Sequence, residues 1–395
     1  MRCLWITRQD PRPADSGELI YSRGLLRSLA AIPGFKLTVL AHRAAKAPEE
    51  TNPEVSWSLH GWIPKGRVRG LFSMLPSDAY RLGNPGMREA LDEISAEGHW
   101  DWVIIDQAAC GWILSLLPES GKPRVAYLAH NHEASVRKQV AGERGGSILF
   151  RAALKWDSWK YARLERALCR RADLISAITP RDQELFRREF FGKPVICLPP
   201  GYQGLMVETP PPITKATSRR VVLAGAFEWL AKRRNLETFL AAADRRFRAE
   251  NLRFTVAGKA DPAFFAGLAK RYPWADFHSN VPSIDPYLAD ARMGVIPEAL
   301  GGGFKLKALD YVFRGLPLAA LEPALSGLPL NPKQDVIAAD NPEKLADAIA
   351  DHIDDLEFLN GAAQRSLAAC REAFQWSDRG AVLAAALEQL SASMA

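Results

Sequence analysis

Short unbroken apolar runs alternate along this chain with longer stretches in which apolar residues recur every three or four positions. The first pattern predicts buried strands and the second amphipathic helices. Residues 2 to 7 are the first apolar run. Asp15-Ser16-Gly17-Glu18 breaks it, and Leu19, Leu25, Leu26 and Leu29 then set a helical stripe ahead of a second strand over residues 35 to 41. Strand, glycine turn, helix, strand is the opening of a βαβ unit. Residues 52 to 88, rich in Pro, Gly and basic residues, read as irregular. Residues 101 to 106 and 124 to 129 are runs of buried-strand type. A long helix is expected from Ile148 to Arg171, with Phe150, Leu154, Tyr161, Leu164 and Leu168 as its core stripe. Strands at 174 to 177 and 195 to 198 flank a helix that begins at Pro180.

Pro199-Pro200-Gly201 and Pro210-Pro211-Pro212 bound a segment without period, which reads as a linker. A second series follows. It comprises strand 221–224, loop 225–234, helix 235–249, strand 254–257, a helix near 262–271, a short strand ending at His278, a helix near 284–291 and strand 293–297. Helices then run from Pro342 to residue 373, and a last helix after Trp376 holds Val382, Leu383, Leu387 and Leu390. The expected fold class is α/β, with two doubly wound halves built on parallel sheets. Their expected bounds are residues 1–200 and 201–375, with 376–395 as a terminal helix. The length of 395 residues agrees, being too great for one core.

Composition narrows the classes. Hydrophobic residues at 48% and charged residues at 24% describe an ordinary globular chain, and no apolar run is long enough to span a bilayer. A net charge of +6 fits anionic ligands or an anionic membrane surface and is too diffuse for nucleic acid. The N-terminal strand runs straight into charged residues, unlike a signal peptide. Cys3, Cys110, Cys169, Cys197 and Cys370 are scattered, without Cys-x-x-Cys spacing. They read as reduced core residues, which places the chain in the cytoplasm. Residues 137 to 171 hold ten Lys and Arg against three Asp and Glu, with Trp156 and Trp159 among them. The plain reading is a solvated helix face; the sharper one is peripheral contact with anionic lipid. In the irregular segment Trp57, Trp62 and Phe72, beside Lys65, Arg67 and Arg69, read as loop residues packed on the domain or as a surface for a partner or membrane.

The candidate chemistry begins at Gly301-Gly302-Gly303-Phe304-Lys305-Leu306-Lys307-Ala308-Leu309-Asp310. A glycine loop that feeds a helix exposes free backbone N–H groups and the positive end of the helix dipole. Lys305 and Lys307 work against that dipole, so their placement calls for an anion. Asp310, one turn on, suits a ribose hydroxyl, which makes a nucleoside diphosphate the expected ligand. The loop from Gly225 again joins strand to helix and ends in Lys232-Arg233-Arg234, a second cationic arm. Neither half carries Gly-x-Gly-x-x-Gly after its first strand, which argues against nicotinamide or flavin. Asp-x-Asp and His-Glu-x-x-His are both absent, and His130-Asn131-His132-Glu133 lacks metal-ligand spacing, so no catalytic metal and no cofactor are expected.

In their order along the chain several segments resemble the GT-B glycosyltransferases, within them the retaining group called family 4 or group 1. They are Ser16-Gly17; His130-Asn131 with Glu133; Arg163-x-Glu165 with Ala172-Asp173-Leu174-Ile175 and Thr179; Pro199-Pro200-Gly201; Gly225-Ala226-Phe227-Glu228-Trp229; and residues 301 to 318. The resemblance implies two Rossmann-like domains facing across a cleft, the first for the acceptor and the second for the donor, with the last helix crossing back. It implies transfer of a sugar from a nucleotide-diphosphate donor to a glycan, lipid-linked or small-molecule acceptor, with retention. His130 would touch the donor sugar near the reacting carbon. Ser16 and Gly17 would lie by the diphosphate, which Lys232 or Arg233, Lys305 and Lys307 would hold with Gly302, Gly303 and Phe304 of the loop. Asp310 would bind ribose, and Val281 would border the base. The family's two glutamates, eight positions apart, are here Gly302 and Asp310. A catalytically degenerate binder of nucleotide sugar and a sugar-nucleotide epimerase are the alternatives on the same fold.

Overall fold

The computed structural model of the chain describes residues 1–14, 16–44, 52–61, 67–96, 98–142, 147–299 and 302–393. Asp15, Trp62, Lys65 and Gly301 lie outside the described residues. The chain forms two compact units, Met1–Gly201 together with Gln375–Ala395, and Tyr202–Phe374.

The first unit is built on seven strands: β1 (Arg2–Gln9), β2 (Lys36–His42), β3 (Val55–His60), β4 (Trp102–Asp106), β5 (Arg124–Ala129), β6 (Leu174–Ala177) and β7 (Val195–Cys197), in the order β3-β2-β1-β4-β5-β6-β7. Every pairing is parallel, and in the centre Trp5 of β1 lies between Val39 of β2 and Ile104 of β4. Helices cover both faces, so β4 is buried at all five positions and reads as a continuous apolar run. The helix Trp376–Ala392 belongs to this unit. It packs on the helix Gly17–Ala30 where two glycines permit close approach. A Cβ at Gly24 would stand 2.3 Å from the Trp376 ring, and one at Gly380 would stand 2.3 Å from Ser28 O.

The second unit has six parallel strands: β8 (Arg220–Ala226), β9 (Arg253–Lys259), β10 (Ala275–Ser279), β11 (Met293–Ile296), β12 (Leu318–Leu321) and β13 (Ile337–Ala339), in the order β10-β9-β8-β11-β12-β13. Its core holds a nest of aromatic rings, Phe239, Phe247, Phe254 and Trp274, in edge-on and tilted contact. Both sheets are therefore of the doubly wound, Rossmann-like type expected from the sequence.

Local corrections have physical causes. Residues 52 to 88 are not irregular throughout: they include β3 and the helices Arg67–Phe72 and Ser77–Leu82, and a further helix, Pro85–Ala96, begins within them. Val55-Ser56-Trp57-Ser58-Leu59 alternates with period two, as an edge strand does, but flanking Pro and Gly hid it. The helix expected at 235 begins at Leu230, so Lys232 and Arg233 lie inside its first turn instead of ahead of it. Leu, Ala, Lys and Arg all favour that state. The helix that the glycine loop feeds begins at Leu306, because Gly303 takes φ +69° and Lys305 is not helical, so Lys305 precedes the helix. Phe150, expected in the core stripe of Ile148–Arg171, is exposed, whereas Tyr161, Leu164 and Leu168 are buried.

Candidate functional site

In the second unit β8 has β9 on one side and β11 on the other, so the segments leaving β8 and β11 run to opposite faces. Open parallel sheets take ligands outside such a divergence, at the carboxyl ends of the strands. Gly225 and Ala226 end β8, and Pro297-Glu298 follow β11. Gly258, with φ +141°, crowds Gly225 O at the same edge: a Cβ there would lie 1.8 Å from that oxygen.

The edge gathers charge around Glu298, which is 6% exposed. Lys305 Nζ stands 3.3 Å from its Oε2, and Lys307 Nζ bonds its Oε1. Lys305 also donates to Gly302 O at 2.9 Å, tying the glycine loop to the cluster. A Cβ at Gly225 would be 3.4 Å from Lys307 Nζ, so this ammonium sits against the end of β8. Burial opposes ionisation of Glu298, but the charges of Lys307, Lys305 and Lys232 prevail and hold its carboxyl well below the usual carboxylate range. The counter-charge that the two lysines called for is thus partly internal. One carboxylate against the two ammonium groups it contacts still leaves a positive surplus at the strand ends, which suits a diphosphate.

The other expected donor residues are placed unequally. Arg233 donates through Nε to Phe227 O at 2.7 Å and lies over the Phe264 ring, so it braces the turn after β8. Asp310 Oδ1 accepts from Arg314 Nη1 at 2.9 Å and from the Tyr202 hydroxyl at 3.1 Å. Its side chain remains one third exposed. Phe304 packs against Phe374 with ring centroids 5.4 Å apart. Val281 is half-buried and follows β10, on the same edge, after Asn280, whose amide donates to Ala260 O.

In the first unit, Ser16 and Gly17 open the helix that follows β1. Ser16 O accepts from Ile20 N, and Gly17 is exposed. His130 follows β5, with its Nε2 2.6 Å from Asp106 Oδ1. Asp106, fully buried at the end of β4, also accepts from Trp5 Nε1 at 3.1 Å. The Tyr21 ring meets the imidazole edge-on at 5.0 Å. His130 is thereby fixed in direction with its side chain 9% exposed. His132 and Glu133 serve the fold: His132 packs on Phe186, and Glu133 pairs with Arg137 at 2.8 Å. At the ends of β1 and β2 a cavity of about 220 Å³ is lined by Arg8, Gln9, His42, Arg43, Asp78 and Arg81 with Leu82. Burial pushes the His42 imidazole below its ordinary pKa.

Sequence reasoning missed Glu298, Asp106 and Tyr202. Asp106 had a signal, as a carboxylate that closes an apolar strand; Glu298 had only its place one residue beyond the end of another.

Residues 218–355 match the family model for glycosyl transferases group 1. No curated protein matches the chain by sequence. Among solved structures, sucrose-phosphate synthase from Thermosynechococcus elongatus superposes with TM-score 0.73 at 18% identity, covering 100% of each chain. WaaG, a glycosyltransferase involved in lipopolysaccharide biosynthesis, gives 0.65 at 15% identity, over 97% of this chain and 99% of its own. Anabaena HepE in complex with UDP and glucose gives 0.65 at 11% identity, over 98% of this chain and 100% of its own. The second unit thus carries a group 1 glycosyltransferase domain, in a chain of GT-B fold.

Proposed function

We propose that this glycosyltransferase moves a sugar from a nucleotide-diphosphate donor to a glycan, lipid-linked or small-molecule acceptor, with retention at the anomeric carbon and without metal. The observation that carries the reading is the cluster of Lys232, Lys305 and Lys307 around buried Glu298 at the divergence of β8 and β11. Negative charge grows on the departing diphosphate as the glycosidic bond breaks. Preorganised ammonium groups and loop N–H groups stabilise that charge most in the transition state, which is where rate is gained. Asp310 has its Oδ2 left for a ribose hydroxyl, while Arg314 and Tyr202 fix its Oδ1. His130, oriented by Asp106, is assigned to the donor sugar. HepE was solved with UDP and glucose, which makes UDP the first nucleotide to try. The acceptor is assigned to the first unit, where a polar cavity lies at the ends of β1 and β2. The reduced cysteines, none in a disulfide, suit the cytoplasm, where sugar nucleotides are made.

Thermal shift with UDP, GDP, TDP and ADP tests the donor reading. We expect one diphosphate to raise the melting temperature, and Lys307→Ala to abolish that rise. Stabilisation by none of the four, or stabilisation that survives in Lys307→Ala, would overturn it. Gly302, at the position of the family's first acid, favours a second reading in which the domain binds nucleotide sugar without transferring it. Slow donor hydrolysis by the wild type, lost in Lys307→Ala, separates catalysis from binding alone.

A further inference from the structure

The helix Ile148–Arg171 buries one side and offers the other to solvent, and the solvent side is not the polar one. Ile148 and Leu149 are 83% and 82% exposed, and Trp156 and Trp159 are exposed as well. At 3.6 residues per turn, positions 148, 149, 152, 155, 156 and 159 share one face. The two indoles are stacked, with centroids 4.9 Å apart and planes within 10°. The helix Arg67–Phe72 extends the patch. Lys160, itself buried, donates to Gly70 O and Leu71 O at 2.9 and 3.1 Å, and Trp156 Nε1 donates to Leu71 O at 3.0 Å. These bonds fix Leu71 and Phe72 beside the tryptophans, with Phe72 85% exposed. Single exposed apolar residues are ordinary, but a contiguous group of this size marks an interaction surface.

The charges say what kind of surface it meets. Arg151, Lys155, Arg163 and Arg166 are exposed along the same helix, and none makes an ion pair with a described residue. The two acids of the helix are turned to the protein. Asp157 accepts Ser77 N at 2.8 Å, and Glu165 is buried. The exposed face is therefore apolar and cationic with no carboxylate. A protein partner would have to match bulky apolar groups and offset several cations at once. An anionic bilayer does both with one material, since apolar side chains enter the acyl boundary while cations stay among phosphate headgroups. Tryptophans suit that boundary because the ring is apolar and the indole N–H polar. Among the described residues no helix is long and apolar enough to cross a membrane.

We propose that this face of the first unit docks on the surface of an anionic phospholipid bilayer, with Ile148, Leu149, Phe72 and the Trp156–Trp159 pair inserted at the headgroup boundary. The proposal does not depend on the donor assignment and is read without any nucleotide. The test is sedimentation of the full chain with vesicles of phosphatidylcholine mixed with phosphatidylglycerol, against vesicles of phosphatidylcholine alone, at low and high salt. Two double variants are compared, Ile148→Glu with Leu149→Glu, and Arg151→Glu with Lys155→Glu. All four side chains are exposed, so both variants are expected to melt as the wild type does. We expect the wild type to pellet with the anionic vesicles, less so at high salt, and each variant to lose at least tenfold in bound fraction. Three results would overturn the proposal: no pelleting of the wild type with anionic vesicles, pelleting unchanged in both variants, or a lipid-free dimer of the wild type that the first variant abolishes. The last would make a second copy of this chain the occupant.

Discussion

Glu298 shows how a single side chain organises the charges around it. Its charge keeps Lys305 and Lys307 converged at the end of β8, where two bare ammonium groups would repel each other. Glu298→Gln leaves nearly buried cations uncompensated, and breaking such a cluster costs about 3–5 kcal/mol. The native pKa of this carboxyl is lowered, so its stabilising contribution is complete above the ordinary glutamate range and is lost as pH falls toward the native value. We therefore expect Glu298→Gln to melt earlier at neutral pH and to show a flatter loss of stability in acid, both read by calorimetry. Asp106 plays the matching part for His130. Asp106→Asn keeps the shape but removes the charge, and the amide NH₂ must face either Trp5 Nε1–H or the imidazole. Turnover should fall about 100-fold with KM nearly unchanged, as expected for a group that acts through orientation in the transition state; an equal loss in KM would instead make Asp106 a ground-state binding residue. Lys305 and Lys307 stood out in the sequence because cations oppose the helix dipole there, and His130 stood out through the family resemblance. Glu298 showed only as a residue just past β11, although its lysines follow within the same segment, and Asp106 only as the carboxylate that closes β4, because its partners Trp5 and His130 come from other strands.

Elements were more legible than their ends. Periodicity alone outlined the long helix Ile148–Arg171 and the buried strands β4 and β5, since each repeats its pattern for several residues. β3 and the short helices before residue 85 escaped because each offers a turn or two of signal amid Pro and Gly. The start of the helix Glu133–Gly142 is set by tertiary contact. Glu165, from the neighbouring helix, accepts the N–H groups of Glu133 and Ala134 at 2.9 and 2.8 Å and the Tyr127 hydroxyl at 3.1 Å. Burial, then the charge of Glu133, raises the Glu165 pKa from 4.5 to about 8. Between those values the native state binds the extra proton, so this group's contribution is full below pH 4.5 and declines as pH rises toward 8. Glu165→Gln should remove that slope from a plot of melting temperature against pH, with an overall loss of about 1 kcal/mol because an amide oxygen can serve only part of the three donors. A slope as steep as in the wild type would assign the titration to another group.

At the scale of the whole molecule, the chain leaves its first unit at Gly201 and returns to it at Gln375. The sequence indicated the terminal helix through its apolar stripe, but the glycines that seat it, Gly24 and Gly380, are single letters with no periodic meaning. Their effect depends on Trp376 and Ser28 O standing opposite, which only the folded unit shows. Trp376, Leu383 and Leu387 of that helix are buried, and Trp102 Nε1 donates to Ser391 Oγ at 3.0 Å. Each large apolar side chain contributes about 1.5–3 kcal/mol on burial, so three approach the whole stability of a domain. Deleting residues 375–395 should therefore unfold or strongly destabilise the first unit. The second unit, with its own core of Phe239, Phe247, Phe254 and Trp274, loses no residue and should keep its melting transition. Limited proteolysis of the deleted protein should remove fragments from residues 1–201 and leave a resistant core from 202–374. If the donor reading also holds, UDP or another diphosphate should still raise the melting temperature of that surviving core, because Lys232, Glu298, Lys305 and Lys307 all lie within it. A deletion that melted both units together would show instead that the second unit's stability requires the first.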